Sequence, residues 1–186
     1  MNFFKKPFVA VVLCVLVVIC SSALTINSKL NKKYDAVIDS FYEGKISNGF
    51  VVDSIYGNIV NMYELADEIV IVADNYGVDT RSLVSSIADM REKLNFKNND
   101  ISEIYDAYTN FYNSLWGVEI ELSGIQLSQR HMEYMSSAAE QIYNLKLSIE
   151  NADYNETVNT FCKKYDRFPA NIFLDMFNIG YPEYFA

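Results

Sequence analysis

Proline and glycine are scarce in this chain, with 3 of the first and 7 of the second in 186 residues. The prolines stand at positions 7, 169 and 182, so the interval from Phe8 to Phe168 has none. Turn-rich β folds place both residue types at their corners, and a long interval free of proline points instead to long helices. Histidine is nearly missing too, with His131 alone, and only three cysteines occur. Cys14 and Cys20 lie inside one apolar run, so Cys162 is the one cysteine of the sequence after it, which excludes a disulfide framework. Cys162 follows Phe161 in a helical pattern, where a small buried hydrophobe explains it better than a nucleophile would. His131 is thirty-one residues away from it, without distinctive context. A Gly-rich phosphate loop, the spacings Cys-x-x-Cys and His-Glu-x-x-His, and a nucleophile-elbow serine are all missing. The residues therefore nominate no catalytic, cofactor-binding or metal-binding position, and the expectation is a protein that is not an enzyme.

Apolar and aromatic residues, by contrast, are plentiful. Hydrophobic types make up 51% of the chain and aromatics 15%, nearly all Tyr and Phe, enough to fill a core. The first apolar block is continuous: "FVAVVLCVLVVIC" runs from Phe8 to Cys20 without a polar residue, then "SSALTI" follows. Alone, that run has the length of a signal-peptide core, with Lys5 and Lys6 ahead and the small residues Ser21, Ser22 and Ala23 behind. Counted to Ile26 it makes about 19 residues, roughly enough to cross a hydrocarbon core as a helix. The uncleaved anchor is the reading adopted, with the lipid bilayer as a partner through residues 8–26. A lipoprotein signal is disfavoured because Ile19 precedes Cys20. Lysines flank both ends of the run (Lys5 and Lys6; Lys29, Lys32 and Lys33), so the positive-inside count does not orient it. The orientation adopted puts the N-terminus inside and the following domain outside. Residues 1–33 are read as anchor and basic flank, and residues 34–186 as an acidic helical domain. That domain holds 10 Lys and Arg against 24 Asp and Glu, so a nucleic-acid partner is not expected.

Helical periodicity governs the domain. Ile55, Ile59, Met62, Leu65, Ile69 and Val72 fit one helix, although "EIVIVAD" is β-branched enough for a buried strand. Gly77 closes that helix and Asp79 caps the next, which carries Leu83, Ile87, Met90 and Leu94 on one face. "DNYGVD", Asp74 to Asp79, resembles a calcium loop but lacks its ligand alternation and closing Glu, so it reads as a helix-turn-helix corner. Asp100 and Glu103 form a capping box ahead of Ile101, Ile104, Tyr108, Phe111 (or Tyr112) and Leu115, with Gly117 as the stop. "GVEIEL", Gly117 to Leu122, alternates and reads as an extended linker. One long helix is expected over 127–166, on the stripe Ala138, Ile142, Leu145, Ile149, Ala152, Tyr154, Val158, Phe161 and Tyr165. Pro169 should end it and turn the chain, so that Ile172 to Phe177 forms a short helix lying back against the bundle's end. Gly180 would close that helix, with Tyr181 to Phe185 pinned alongside. The other reading of this tail is a second membrane contact, disfavoured because an interfacial helix wants a basic face and Asp175 and Glu183 are the tail's only charges. The sequon "NET" at Asn155 falls within a helix and carries no separate reading.

The last third also resembles a known family. Asp153, Tyr154, Asn155, Val158, Phe168, Pro169, Asn171, Pro182, Tyr184 and Phe185 stand in register with the Asp-Tyr-Asn-x-x-Val helix, Phe-Pro element and Pro-x-Tyr-Phe tail of the LemA family. Ala66, Asp67, Tyr76 and Gly77 match an earlier region of it. The chain is similar to a divergent member, since the family's paired arginines are replaced by Met62 and Tyr63, and its Thr-Glu-Asn-Arg-Ile signature stands here as Tyr143 to Leu147. About eight extra residues lie near "EGKISNGF". The resemblance implies an all-α protein: an N-terminal transmembrane helix, then an antiparallel helical bundle of four-helix type. It implies a non-enzymatic scaffold or interaction protein of the bacterial envelope, single-pass in the cell membrane, with other membrane or envelope proteins as partners. The alternative class is a small-ligand-binding or enzymatic helical domain, with an inter-helix pocket where Tyr side chains and Glu133, Glu140 and Asp153 converge. A solvated face explains Glu133 and Glu140, seven apart on one helix, as well or better.

Overall fold

A computed structural model describes residues 7–47, 50–52, 54–95 and 100–186. The basic pair Lys5 and Lys6 and the residues just ahead of Asp100 lie outside the described residues. Among the described residues, the regular structure is helical apart from one small hairpin. In order come α1 (Pro7–Tyr42), β1 (Lys45–Ser47), β2 (Phe50–Val52), α2 (Ile55–Asn75), α3 (Arg81–Asn95), α4 (Ile101–Ser123), α5 (Gln129–Glu150), α6 (Tyr154–Tyr165) and α7 (Ala170–Phe177). β1 and β2 pair antiparallel, with Ser47 opposite Phe50. Two compact units are built from these elements, one of residues 1–38 and 159–182, the other of residues 39–158 and 183–186.

In the second unit, α3 packs closely on α4 and α2 on α5, while α2 also meets α3 and α4. Each helix buries the stripe its spacing dictates: Ile59, Met62, Ala66 and Ile69 from α2; Leu83, Ile87 and Met90 from α3; Ile104, Phe111, Leu115 and Leu122 from α4; Ala138 and Ile142 from α5. "EIVIVAD" is thus helical, because Ile69 and Val72 repeat the α2 stripe at helical intervals. The corner after α2 also follows the sequence. Gly77 takes φ 73°, and the Val78 amide reaches back to the Ala73 carbonyl at 3.1 Å. Thr80 Oγ1 donates to Asp74 Oδ1 at 2.8 Å, and Asp79 accepts from the Arg81 amide at 3.1 Å. Fastening to Arg81 holds the exposed Asp79 carboxyl down to about 2.

Four local expectations are corrected. "GVEIEL" is no linker: α4 continues through Gly117 to Ser123, since Val118 and Leu122 are also one helical turn apart and both are buried. The expected helix over 127–166 is two helices, because α5 ends at Glu150 and α6 opens at Tyr154. Asn151 caps the break, its amide bonded back to the Leu147 and Ile149 carbonyls. The capping box does not form, since Asp100 makes no side-chain cap bond and Glu103 instead pairs with Lys93 at 2.5 Å. Finally α7 is closed by Asn178 in the left-handed conformation (φ 52°), ahead of Gly180.

Within the first unit, the α1 side chains from residue 10 to 22 are exposed, Ala23 and Ile26 are half-buried, and Leu30 and Val37 are buried. Tyr34 meets Phe161 edge to face at 6.3 Å, and Phe161 meets Tyr165 at 4.7 Å. Leu174 is the fully buried residue of α7, where Phe173 and Phe177 stack at 6.3 Å. Tyr181 donates to Asp166 at 3.4 Å.

Candidate functional site

The most apolar surface among the described side chains is the bare part of α1. Val11, Leu13, Val15, Leu16, Val17, Val18, Ile19 and Leu24 are all exposed large hydrophobes. By length and composition this is the one helix among the described residues fit to cross a membrane. Protein cores elsewhere in the chain cover such residues; here none does.

A second site lies where residues 183–186 dock within their unit. Phe185 is buried among the rings of Phe41 (5.5 Å), Tyr105 (5.1 Å) and Tyr108 (5.6 Å). Asn155 clamps its backbone from both sides: the Phe185 amide donates to Oδ1 and Nδ2 donates to the Phe185 carbonyl, each at 2.9 Å. Tyr154 donates its hydroxyl to the Glu183 carbonyl at 2.7 Å. The Glu183 carboxylate in turn accepts from the Ser102 amide (3.0 Å) and hydroxyl (2.8 Å), in the first turn of α4. An anion there is favoured by the helix dipole and supplies the acceptor that Asp100 does not. Beneath this docked segment lies a cavity of about 330 Å³ lined by Tyr105, Tyr108, Tyr112, Lys146, Glu150 and Phe185. Lys146 pairs with Glu150 at 2.7 Å and sits 5.3 Å over the Tyr112 ring. The Tyr108 hydroxyl is buried without a hydrogen-bond partner, and burial pushes its pKa far above that of an ordinary phenol.

The third feature is a groove of about 530 Å³ between α2 and α5, with Asn61, Glu64, Glu68, Gln141 and Asn144 among its lining residues. Tyr134 donates to Glu68 at 2.8 Å. Asn58, 1% exposed, lines the groove too, and both polar atoms of its amide lack a partner. The spacing held a signal for it, since Asn58 falls on the stripe Ile55, Ile59, Met62 that its neighbours bury.

The carboxylates named from sequence, Glu133, Glu140 and Asp153, lie at the surface. Glu133 accepts from Gln129 at 3.0 Å and, like Glu140 and Asp153, is exposed. No cluster of three or more His, Cys, Asp and Glu side chains able to hold a metal is present among the described residues. Cys162 and His131 belong to different units. His131 is engaged locally, its Nδ1 3.0 Å from the Tyr76 hydroxyl, which also accepts from the Ser128 amide at 2.9 Å. Asn155, the sequon residue, is half-buried and serves as the clamp on Phe185. Comparison with protein-family models, with curated proteins and with solved structures finds no match to this chain.

Proposed function

We propose that this chain is a LemA-like, single-pass protein of a bacterial cell membrane whose helical part, an antiparallel bundle of four-helix type, is a non-enzymatic scaffold or interaction module on the outer side. The observation that carries the reading is the uncovered apolar stretch of α1, whose side chains meet water unless a bilayer surrounds them. Trp116 and Ile120, exposed one turn apart on α4, fit a module that meets other membrane or envelope proteins. Intact mass and membrane fractionation test the anchor. The expected outcome is a chain that keeps residues 1–26 and resists alkaline extraction from membranes, whereas a variant lacking residues 8–26 becomes extractable. A mature chain starting at Leu24 would instead make the run a cleaved signal.

A second reading, a small polar ligand held between α2 and α5, is favoured by Asn58 alone. An unpartnered buried amide costs about 1–3 kcal/mol. Asn58→Leu, close in shape, should therefore raise the melting temperature, by roughly 2–4 °C per kcal/mol for a chain of this size. A lower melting temperature would show that the amide is bonded, through water or otherwise, and would remove the support for a ligand.

A further inference from the structure

We infer that the end of α6 and the outer face of α7 form a second, interfacial contact with the lipid surface beside the α1 anchor. The inference rests on the reading of residues 8–26 as membrane-spanning and adds to it a place where the domain itself touches the headgroup layer.

The exposed residues come first. Phe168 is 80% exposed, and Ile172 and Met176, one turn apart on α7, are more than half exposed. A soluble surface seldom gathers three such residues in one short stretch. Beside them, Lys163, Lys164 and Arg167 are all exposed, as are Lys29, Lys32 and Lys33 on α1. Asp175, next to Ile172 and Met176, is the one acid of α7. The cations an interfacial face requires are missing from residues 170–186, but the last turn of α6 and the α1 flank supply them.

Charge divides along the same line. Residues 1–38 and 159–182 hold eight Lys and Arg against three Asp, a net of +5. Residues 39–158 and 183–186 hold seven against 21 Asp and Glu, a net of −14. The unit that contains the anchor is thus basic within a chain of net charge −9. Basic residues near a membrane surface are attracted to anionic lipids.

Position agrees with composition. Along α1 and α6 the ring contacts fall in reverse order, Tyr34 on Phe161 at 6.3 Å and Phe41 on Tyr154 at 5.5 Å, so the two helices run in opposite senses past the Tyr34–Phe161 contact. Tyr34 is eight residues beyond Ile26, about 12 Å along the helix. The four residues from Phe161 to Tyr165 return about 6 Å of that distance. Tyr165 therefore stands about 6 Å above the end of the apolar run, at the depth of a headgroup layer roughly 5–8 Å thick. Phe168 and α7 follow directly, and the half-burial of Ala23 and Ile26 fits cover from this part of the unit. Aromatic residues favour that depth.

Single tryptophans in the full chain, placed in vesicles of phosphatidylcholine and phosphatidylglycerol, test the contact. Trp116 is the only native tryptophan, so the background is Trp116→Phe. Phe168→Trp then reports the patch and Val17→Trp the anchor, each read by quenching from lipids brominated near the headgroup or deep in the acyl chain. The expected result is deep quenching of Val17→Trp and shallow quenching of Phe168→Trp. Adding Ile172→Glu with Met176→Glu should abolish the second and leave the first. Both positions are exposed, so these changes leave the fold intact. Quenching of Val17→Trp with none at Phe168→Trp overturns the contact and spares the anchor, including where the emission is blue-shifted because a second copy covers the face. Absence of quenching at both positions overturns the anchor reading and the contact together.

Discussion

Removing residues 183–186, or replacing Phe185 with alanine, is expected to destabilise the second unit strongly. Phe185 meets three rings and is buried to 6% exposure, and Phe→Ala in such a setting costs about 3–5 kcal/mol. Total stability is only about 5–15 kcal/mol. The deletion adds the loss of five hydrogen bonds, to Asn155, Tyr154 and Ser102, at about 1 kcal/mol each. It also leaves the Asn155 amide half-buried and unpartnered. Melting of the full chain in detergent, followed by circular dichroism, should show Phe185→Ala lower by roughly 10 °C and the deletion lower still. Identical melting curves for Phe185→Ala and the parent chain would mean that the ring is not held where the structure puts it.

Ile142→Asp is the second large effect. Ile142 is 3% exposed on the face of α5 that packs against α2, midway along the stripe from Ala138 to Ile149. A carboxylate there must be desolvated or protonated, at a cost of several kcal/mol, and the cation one turn away, Lys146, is already paired with Glu150 at 2.7 Å. The variant is expected to lose cooperative melting at neutral pH and to regain part of it in mild acid. The sign follows from burial, which raises the pKa of the introduced carboxyl in the folded chain above its unfolded value. Folding therefore takes up a proton, and the penalty shrinks as pH falls. A control on the exposed face of the same helix, Glu140→Gln, should melt like the parent chain. A small effect of Ile142→Asp at pH 7 would show that the α5 stripe faces elsewhere.

How far these elements could be read in advance depended on the range of the interactions involved. Stripes of α2, α3 and α5 were legible because a helix sorts its own residues by spacing, and even β-branched "EIVIVAD" obeyed that sorting. Gly117 to Leu122 was misread because six alternating residues also satisfy a one-turn repeat, and one exposed glycine costs a helix only about 1 kcal/mol. The break at Asn151 did leave a trace in the spacing, since Tyr154 follows Ala152 by two residues where one continuous helix would place its next stripe residue three or four on. The small hairpin did have a local signal in the sequence, an Asn-Gly pair between two short β-prone runs. No local signal existed for the Glu183 carboxylate at the start of α4, because Ser102 is 81 residues away. Spacing put Asn58 on the buried stripe of α2, but that its amide is orphaned depends on which partners reach it in three dimensions.

The docked residues 183–186 also bear on how fast the unit comes apart. Their contacts join residues 41, 102–108, 154–155 and 183–185, separations that close late in folding because long loops must be ordered first. Interactions absent from the folding transition state leave the rate of folding nearly untouched and act on the rate of unfolding. The Phe185 ring and the Asn155 clamp thus act as a latch on the unfolding barrier. A chain without them would reach the same fold at a similar speed and keep it for a shorter time, which shortens its life wherever proteases capture the opened form faster than it recloses.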